Sequence, residues 1–282
     1  METLEKGIYI VSTPIGNLGD ITIRAIKILK LADIIICENP KHSLKLLNNL
    51  GIKKKLLSLH DYNENTLIKR IEKIQTKSSI ALISDAGSPL ISDPGYNLIK
   101  DYINKNLPIT TLPGPTSLVS ALQLSGLPIH SFHFYGFVPK NNGPILTLVG
   151  EIKRQNSTSV LFISGGKCLH FLNILTEEGI DREISICKEI TKKNERVFRG
   201  TIRNVSKEIQ ESKSNIKGEF VIIIKGIDKT LNIHIEVEEI YKIQIKKLLK
   251  KFSLTETVAI VHKLTNISKK RIYENALKIK ND

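Results

Sequence analysis

Short runs of β-branched, apolar residues alternate with amphipathic stretches along the first half of the chain. This alternation constrains the fold more than any other feature. Residues 7–12 (GIYIVS), 31–37 (LADIIIC), 79–83 (SIALI) and 109–112 (ITTL) are short and bounded by turn residues, so they read as buried strands, with a further strand at 56–59. Helical periods lie between them: 20–30, with Asp20 as its N-cap; 44–50, closed by Gly51; 65–76; and 96–104, with one more running to Ser125. Strands alternating with helices build βαβ units and a mostly parallel sheet. Ligands of such sheets bind outside the carboxyl ends of the strands. Loops rich in glycine and proline fall at three of those ends, at 13–19, 84–89 and 113–116.

The pattern changes near Gly126-Leu127-Pro128. A second α/β section follows, with strands near 131–137, 159–163, 183–187 and 219–225 and helices near 168–178 and 204–211. Residues 226–239 read as a linker. Leu254 to Thr265, a turn at Asn266-Ile267-Ser268, and Lys269 to Ile279 read as a helix-turn-helix, with Ser253 or Thr255 capping the first helix and Ser268 the second. The expected organisation is an N-terminal α/β domain over 1–126, a second α/β domain over 127–228, and a linker with a helical tail over 229–282.

Charge narrows the partners. The net charge is +14, and residues 240–282 hold eleven Lys and Arg against three acids, a net +8. A basic helical segment fits contact with a polyanion. Lys269, Lys270 and Arg271 stand at the start of the second tail helix, where phosphate also meets free backbone N–H groups. No apolar stretch approaches the ~18 residues of a membrane span, and the first residues lack a secretion signal, so the expected location is the cytoplasm. Cys37, Cys168 and Cys187 show no pairing or zinc-site spacing and read as buried free thiols.

Several motifs carry a resemblance. They are Val11-Ser-Thr-Pro-Ile-Gly-Asn-Leu-Gly-Asp20, Leu59-His-Asp-Tyr-Asn-Glu64, Ser84-Asp-Ala-Gly-Ser-Pro-Leu-Ile-Ser-Asp-Pro-Gly-Tyr96, Leu112-Pro-Gly-Pro115, Gly136-Phe-Val-Pro139, Lys188-Glu-Ile-Thr191 and Lys217-Gly-Glu219. Together they resemble the tetrapyrrole methylases, in the variant typical of the ribosomal RNA small subunit methyltransferase I branch. The resemblance implies two α/β domains with S-adenosylmethionine in the cleft between them, a homodimer, and no metal. For this branch it implies methyl transfer to the ribose 2′-hydroxyl of a cytidine in the decoding region of 16S rRNA, within the rRNA or the 30S subunit.

Glycine and proline loops let backbone N–H and C=O groups approach a ligand closely. The expected cofactor contacts are Pro14, Asp85, Ala86, Gly87, Ser88, Pro113, Gly114, Thr116, Ser117, Thr191, Gly218 and Glu219. Methyl transfer to a hydroxyl needs alignment and removal of the hydroxyl proton. Glu38, His60, Asp61 and Glu64 are the candidates for the base or for positioning; alternatively, Asp61 or Asn63 serves to cap the helix that follows.

Three charged motifs depart from the branch's pattern. Its E-D-T-R-H is here Glu38-Asn-Pro-Lys-His42. The basic G-R-R after the G-F-x-P motif is replaced by Lys140-Asn-Asn-Gly-Pro-Ile-Leu146. Its Y-E-S-x-H-R is Ile163-Ser-Gly-Gly-Lys-Cys168. Lys41, Lys140 and Lys167 are the expected replacement cations toward RNA. Lysine lacks arginine's bidentate fork, so arginine at positions 41 and 168 is expected to raise the rate. Two readings follow: an active rRNA methyltransferase, or an RNA-binding relative that kept the fold and lost part or all of the reaction. Methylation of a small tetrapyrrole fits poorly with the basic tail and the P-I-G-N-L-G-D loop.

Overall fold

The computed structural model describes residues 3–60, 62–211, 217–227, 244–265 and 268–281, without the side chains of 271, 278, 280 and 281. Residues 1–226 form one compact unit and 227–282 another.

The first unit holds two five-stranded sheets. In the first, β1 (Gly7–Val11), β2 (Ile34–Cys37), β3 (Lys55–Ser58), β4 (Ser79–Ile83) and β5 (Ile109–Leu112) run in the order β3-β2-β4-β1-β5. Every pairing is parallel. Helices α1 (Ile23–Leu31), α2 (Pro40–Asn49), α3 (Glu64–Ile71) and α4 (Tyr96–Asn104) cover it, and α5 (Ser117–Ser125) follows β5. Side chains alternate across a strand, so β2 divides its isoleucines between two cores. Ile35 and Cys37 join Ala25 and Leu29 of α1 and Leu47 of α2. Ile34 and Ile36 join Leu67 and Ile71 of α3 and Leu98 and Tyr102 of α4. Burial on both faces explains why these strands are continuous apolar runs.

The second sheet contains β6 (Phe132–Phe137), β7 (Thr158–Ser164), β8 (Glu183–Lys188), β9 (Arg196–Thr201) and β10 (Glu219–Ile224), in the order β6-β7-β10-β8-β9. Only β6 and β7 pair in parallel; the other neighbours are antiparallel. One face is packed by α6 (Asn142–Arg154), α7 (Gly165–Glu177) and α8 (Ile202–Glu211). The opposite face receives Ala121 and Leu122 of α5 against Val160, Cys187, Val221 and Ile223. Helix α5 thus ties the loop after β5 to the second sheet.

Local chemistry corrects several expected boundaries. Thr22, not Asp20, caps α1, its side chain accepting the Ala25 N–H at 3.1 Å; Asp20 ends a preceding 3₁₀ turn. Helix α2 begins four residues before the expected start, because Asn39 accepts the Lys41 N–H at 3.1 Å and Pro40 occupies the first turn. Helix α6 and strand β9 were not expected. The buried Ile145, Leu148, Val149 and Ile152 give α6 its helical period, while Gly143-Pro144 in its first turn resembles a loop.

The second unit contains a helical stretch at 244–248 and the helices Leu254–Thr265 and Lys269–Asn281. They share an apolar core of Ile245, Val258, Val261, Ile272 and Ala276. Ser253 caps the first helix in a reciprocal box. Its hydroxyl accepts the Glu256 N–H at 3.3 Å, and its own N–H donates to Glu256 Oε2 at 2.9 Å. The turn at 266–267 and most of the 226–239 segment lie outside the described residues. All three cysteines are buried free thiols.

Candidate functional site

Strands β4, β1 and β5 are neighbours, so their carboxyl ends bring the three Gly/Pro loops together. Hydrogen bonds lace them. Thr13 and Gly87 exchange backbone bonds of 2.8 and 3.0 Å. The Thr13 hydroxyl donates to the Ser84 carbonyl at 3.2 Å. Ser12 Oγ lies 2.8 Å from Ser88 Oγ and 3.4 Å from the Leu112 carbonyl. Gly114 approaches Ser12 so closely that a Cβ there would stand 2.8 Å from the Ser12 Cβ. Gly87 has φ 80°, a turn conformation open to glycine at no steric cost.

These loops form one wall of a cleft of about 370 Å³, and the second sheet forms the other. Ile15, Asp85, Gly87, Ser88 and Thr116 line it from the first side; Phe137, Phe162, Ile190, Lys192 and Glu219 line it from the second. Phe162 anchors an aromatic wall, with ring centroids 4.9 Å from Phe134 and 5.3 Å from Phe137 in edge-to-face contact. A mostly apolar cleft with a few convergent polar groups suits a small molecule that carries a flat ring and charged ends.

Two polar clusters mark the cleft. On the second side, the Lys192 ammonium lies 3.0 Å from Glu189 and 2.8 Å from Glu219. The Glu219 N–H also donates to Glu189 at 2.8 Å. Burial raises the Glu189 carboxyl, but the hydrogen bonds from Glu219 and Lys192 outweigh it and hold it below its ordinary value. Thr191 Oγ1, beside this cluster, is buried without a hydrogen-bond partner. On the first side, Asp85 accepts the Asn39 N–H at 3.2 Å, and Asp93 also faces the cleft. Five described non-glycine residues have left-handed φ, and Leu90, Ser92, Glu189 and Thr191 belong to the loops that border the cleft. Each costs roughly 1–2 kcal/mol, strain that persists only where the surroundings over-determine the backbone.

Of the residues expected to contact a cofactor, Asp85, Ala86, Gly87, Ser88, Thr116, Ser117 and Glu219 line the cleft. Pro14, Pro113, Gly114, Thr191 and Gly218 are not among the lining residues. Gly218 is packed against Glu189, whose carboxyl a Cβ would meet at 2.8 Å. The apolar wall was not foreseen, since Phe162 and Ile190 look like ordinary core residues in sequence. Phe137 lay within the G-F-V-P motif without being singled out, and Asp93 within the 84–96 stretch.

None of the described candidates for proton transfer lines the cleft. Glu38 is half-buried at the end of β2, and its carbonyl accepts the Ser58 hydroxyl at 3.2 Å. His60 is exposed, its N–H donating to Asn63 Oδ1 at 2.9 Å. Asn63 also donates to the Ser58 carbonyl at 3.0 Å and makes no cap bond to α3. Asp61 lies outside the described residues. Glu64 is only 5% exposed. Its oxygens accept the Leu98 N–H at 2.8 Å and the Asn97 amide at 3.1 Å, at the start of α4.

The altered motifs differ in what replaces the family's charges. Lys41, Lys140 and Lys167 are exposed, and none lines the cleft. Burial at Cys168 argues against the gain in rate expected from an arginine at this position: Cys168 is 1% exposed within the core of the second sheet, and burial pushes its thiol up to about 12. An arginine side chain has no room there to reach RNA. Lys269 and Lys270 are exposed at the start of the second tail helix; the side chain of Arg271 is outside the description. Among the described residues, no cluster of His, Cys, Asp or Glu is disposed to hold a metal ion, and no helix is long and apolar enough to cross a membrane.

Comparison with known proteins adds an independent line. The family model of Tetrapyrrole (Corrin/Porphyrin) Methylases matches residues 7–206. The chain is similar to Ribosomal RNA small subunit methyltransferase I of Halalkalibacterium halodurans, 40% identical over 224 residues, which covers 79% of this chain and 77% of that protein. It is 38% identical to the protein of that name from Rickettsia prowazekii over 275 residues, 96% of each. It is 35% identical to the one from Haemophilus influenzae over 279 residues, 98% of each. Among solved structures, a crystal structure of diphthine synthase matches with a TM-score of 0.60 at 15% identity, over 77% of this chain and 89% of that one; this is a likeness of fold.

Proposed function

The chain belongs to the tetrapyrrole methylase family, in its ribosomal RNA small subunit methyltransferase I branch, and from that premise we propose that it methylates 16S rRNA with S-adenosylmethionine as donor. Its target in this reading is the ribose 2′-hydroxyl of a cytidine in the decoding region. The observation that carries the reading is the cleft between the two sheets, walled by the very loops that hold the branch's motifs.

The donor set fits the cofactor. The aromatic wall suits an adenine ring, and the Lys192–Glu219 pair offers opposite charges to an amino-acid end. The orphaned Thr191 hydroxyl beside them is a hydrogen-bonding group still without a partner. Asp85 and Glu219 are the acids suited to cationic parts of the ligand, with Gly87, Ser88, Thr116 and Ser117 offering backbone and hydroxyl contacts. Bound there, S-adenosylmethionine supplies a methyl group activated by its sulfonium. The chain's own task is to bind both partners, exclude water and remove one proton.

In this reading, residues 1–126 and 127–228 are the two halves that close on the cofactor, and 229–282 is the linker and tail. Lys269, Lys270 and Arg271 contact phosphate, with Lys41, Lys140 and Lys167 on the body as further cations. The protein acts in the cytoplasm as a homodimer. The charged-motif changes favour a second reading, an RNA-binding relative with weak or absent activity. Transfer of labelled methyl groups from S-adenosylmethionine to 30S subunits and to bare 16S rRNA, followed by mapping of 2′-O-methyl positions, separates the two. A methylated decoding-region cytidine supports the first; RNA binding without transfer supports the second.

A further inference from the structure

Asp93 lines the main cleft from the first side. Behind it the protein is closely packed: Glu38, Leu59, Leu82, Pro89 and Pro94 surround it there, leaving no space for a water molecule. Asp93 thus stands between the open cleft and the packed end of β2, where Glu38 lies.

The backbone carrying Asp93 is fixed from two directions. Leu90 and Ser92 hold left-handed φ values of 74° and 68°, and Pro94 biases Asp93 toward an extended conformation. A Cβ at Gly95 would stand 2.8 Å from Leu90 Cδ2, and one at Gly136 3.4 Å from Ser92 Oγ. The loop is therefore clasped by its own end and by the bulged part of β6. The charged groups that act on the Asp93 carboxyl are both acids, Glu38 from the end of β2 and Asp85 from its own loop. Burial first, then Glu38, then Asp85 push it up to about 6, with the Ser84 hydroxyl opposing. Such a carboxylate is a stronger base than an ordinary one and is still ionised at neutral pH.

We propose that Asp93, rather than a residue of the 60–64 segment, is the group that accepts the proton of the attacking hydroxyl. This rests on the methyltransferase reading above. The O–H bond breaks and its proton goes to a carboxylate oxygen of Asp93. The oxygen's electron pair forms the new O–C bond, while the pair of the broken C–S bond stays on sulfur. The proton on Asp93 then passes to water.

The test uses the full chain, wild type against Asp93→Asn and Asp93→Glu, with two readouts. The first is thermal melting without cofactor or RNA. A folded-state value of about 6, above the usual 3.8, means that ionising Asp93 penalises the folded state. Its penalty is absent below about pH 4, grows as pH rises to about 6, and persists above. The melting temperature of Asp93→Asn relative to wild type is therefore expected to rise between pH 4 and pH 7. The second readout is single-turnover methyl transfer at saturating cofactor and RNA. Asp93→Asn is expected to slow it by roughly 10²–10⁴-fold, with calorimetric cofactor affinity within about threefold of wild type. The acid limb near pH 6 should vanish from the residual rate, and Asp93→Glu should restore part of the rate. An Asn variant with wild-type transfer rate and an intact acid limb, or a melting difference flat with pH, overturns the assignment alone. A wild type that binds cofactor but methylates no form of the RNA overturns the functional reading, and this step with it.

Discussion

Glu64 separates a structural carboxylate from a catalytic one. Helix α4 begins after Gly95, which has no side chain to offer its first turn. Glu64, at the start of α3, supplies the missing cap from 34 residues away, accepting the Leu98 N–H at 2.8 Å and the Asn97 amide at 3.1 Å. A negative charge at a helix N-terminus is favourable in itself, and here it is 5% exposed. Hydrogen bonds to charged groups contribute about 1.5–3 kcal/mol, and removing one partner leaves the other buried and unpaired. Glu64→Ala should therefore cost about 3 kcal/mol. At about 2–4 °C per kcal/mol for a unit of this size, its melting temperature should fall by about 6–12 °C. Glu64→Gln keeps the shape and one acceptor, so its cost should be about 1 kcal/mol, or about 2–4 °C. The decisive measurement pairs calorimetric melting with single-turnover methyl transfer for the Gln variant, at a temperature where both proteins are folded. We expect transfer within about threefold of wild type. A Gln variant that melts like wild type but transfers about 100-fold more slowly would refute the argument and return Glu64 to the chemistry.

Further outcomes follow from the same geometry. Cys168→Arg should lower the melting temperature by about 6–20 °C or abolish soluble expression, because an unpaired charge in this core costs about 3–5 kcal/mol; Lys41→Arg, on the exposed start of α2, should leave melting unchanged and raise the transfer rate several-fold on the order expected of a bidentate contact. Gly114→Val should drive Ser12 away from Ser88 and weaken both cofactor affinity by calorimetry and stability, the latter by about 1–3 kcal/mol; if both stay at wild-type values, the lacing of the loops is not what shapes the cleft. Deleting 227–282 should leave cofactor affinity within about threefold and flatten the log–log salt dependence of RNA binding by roughly 0.7–0.9 per lost phosphate contact; an unchanged slope would remove the tail from the RNA interface.

The parallel sheet was legible in sequence because its strands are buried on both faces and appear as uninterrupted apolar runs, as Ile34–Cys37 and Ser79–Ile83 do. Its loops were legible because turns need glycine and proline. Two of the ends that went astray were settled by side-chain caps that composition does not rank: Thr22 prevailed over Asp20, and Asn39-Pro40 started α2 early. Strand β9 escaped notice because an edge strand in which Phe198 is the one buried residue, with Arg196 and Arg199 exposed on opposite faces, lacks the apolar density of its neighbours. The far wall of the cleft was opaque for a different reason. Whether Phe162 is core or lining depends on which strand lies beside it and on α5 crossing to the second sheet, both long-range facts. The different surroundings of Asp93 and Glu64 were hidden on the same ground: burial and partners, not residue type, distinguish the two carboxylates.

The order of strands in the second sheet also dictates when that sheet can exist during synthesis. Its central strand, β10, is the last to be made, and it joins the β6–β7 pair to the β8–β9 hairpin. The first sheet has all its strands once Leu112 has been added, whereas the second must wait for Ile224. Until then β7 and β8 each present an apolar edge with no neighbour, the kind of edge that invites association with other chains. A nascent chain thus passes through an interval of about sixty residues, from Ser164 at the end of β7 to Ile224 at the end of β10, in which half of the cleft is built and the other half is a hazard. Sequence changes that slow translation between β7 and β10 would lengthen that interval without altering a single contact in the finished protein.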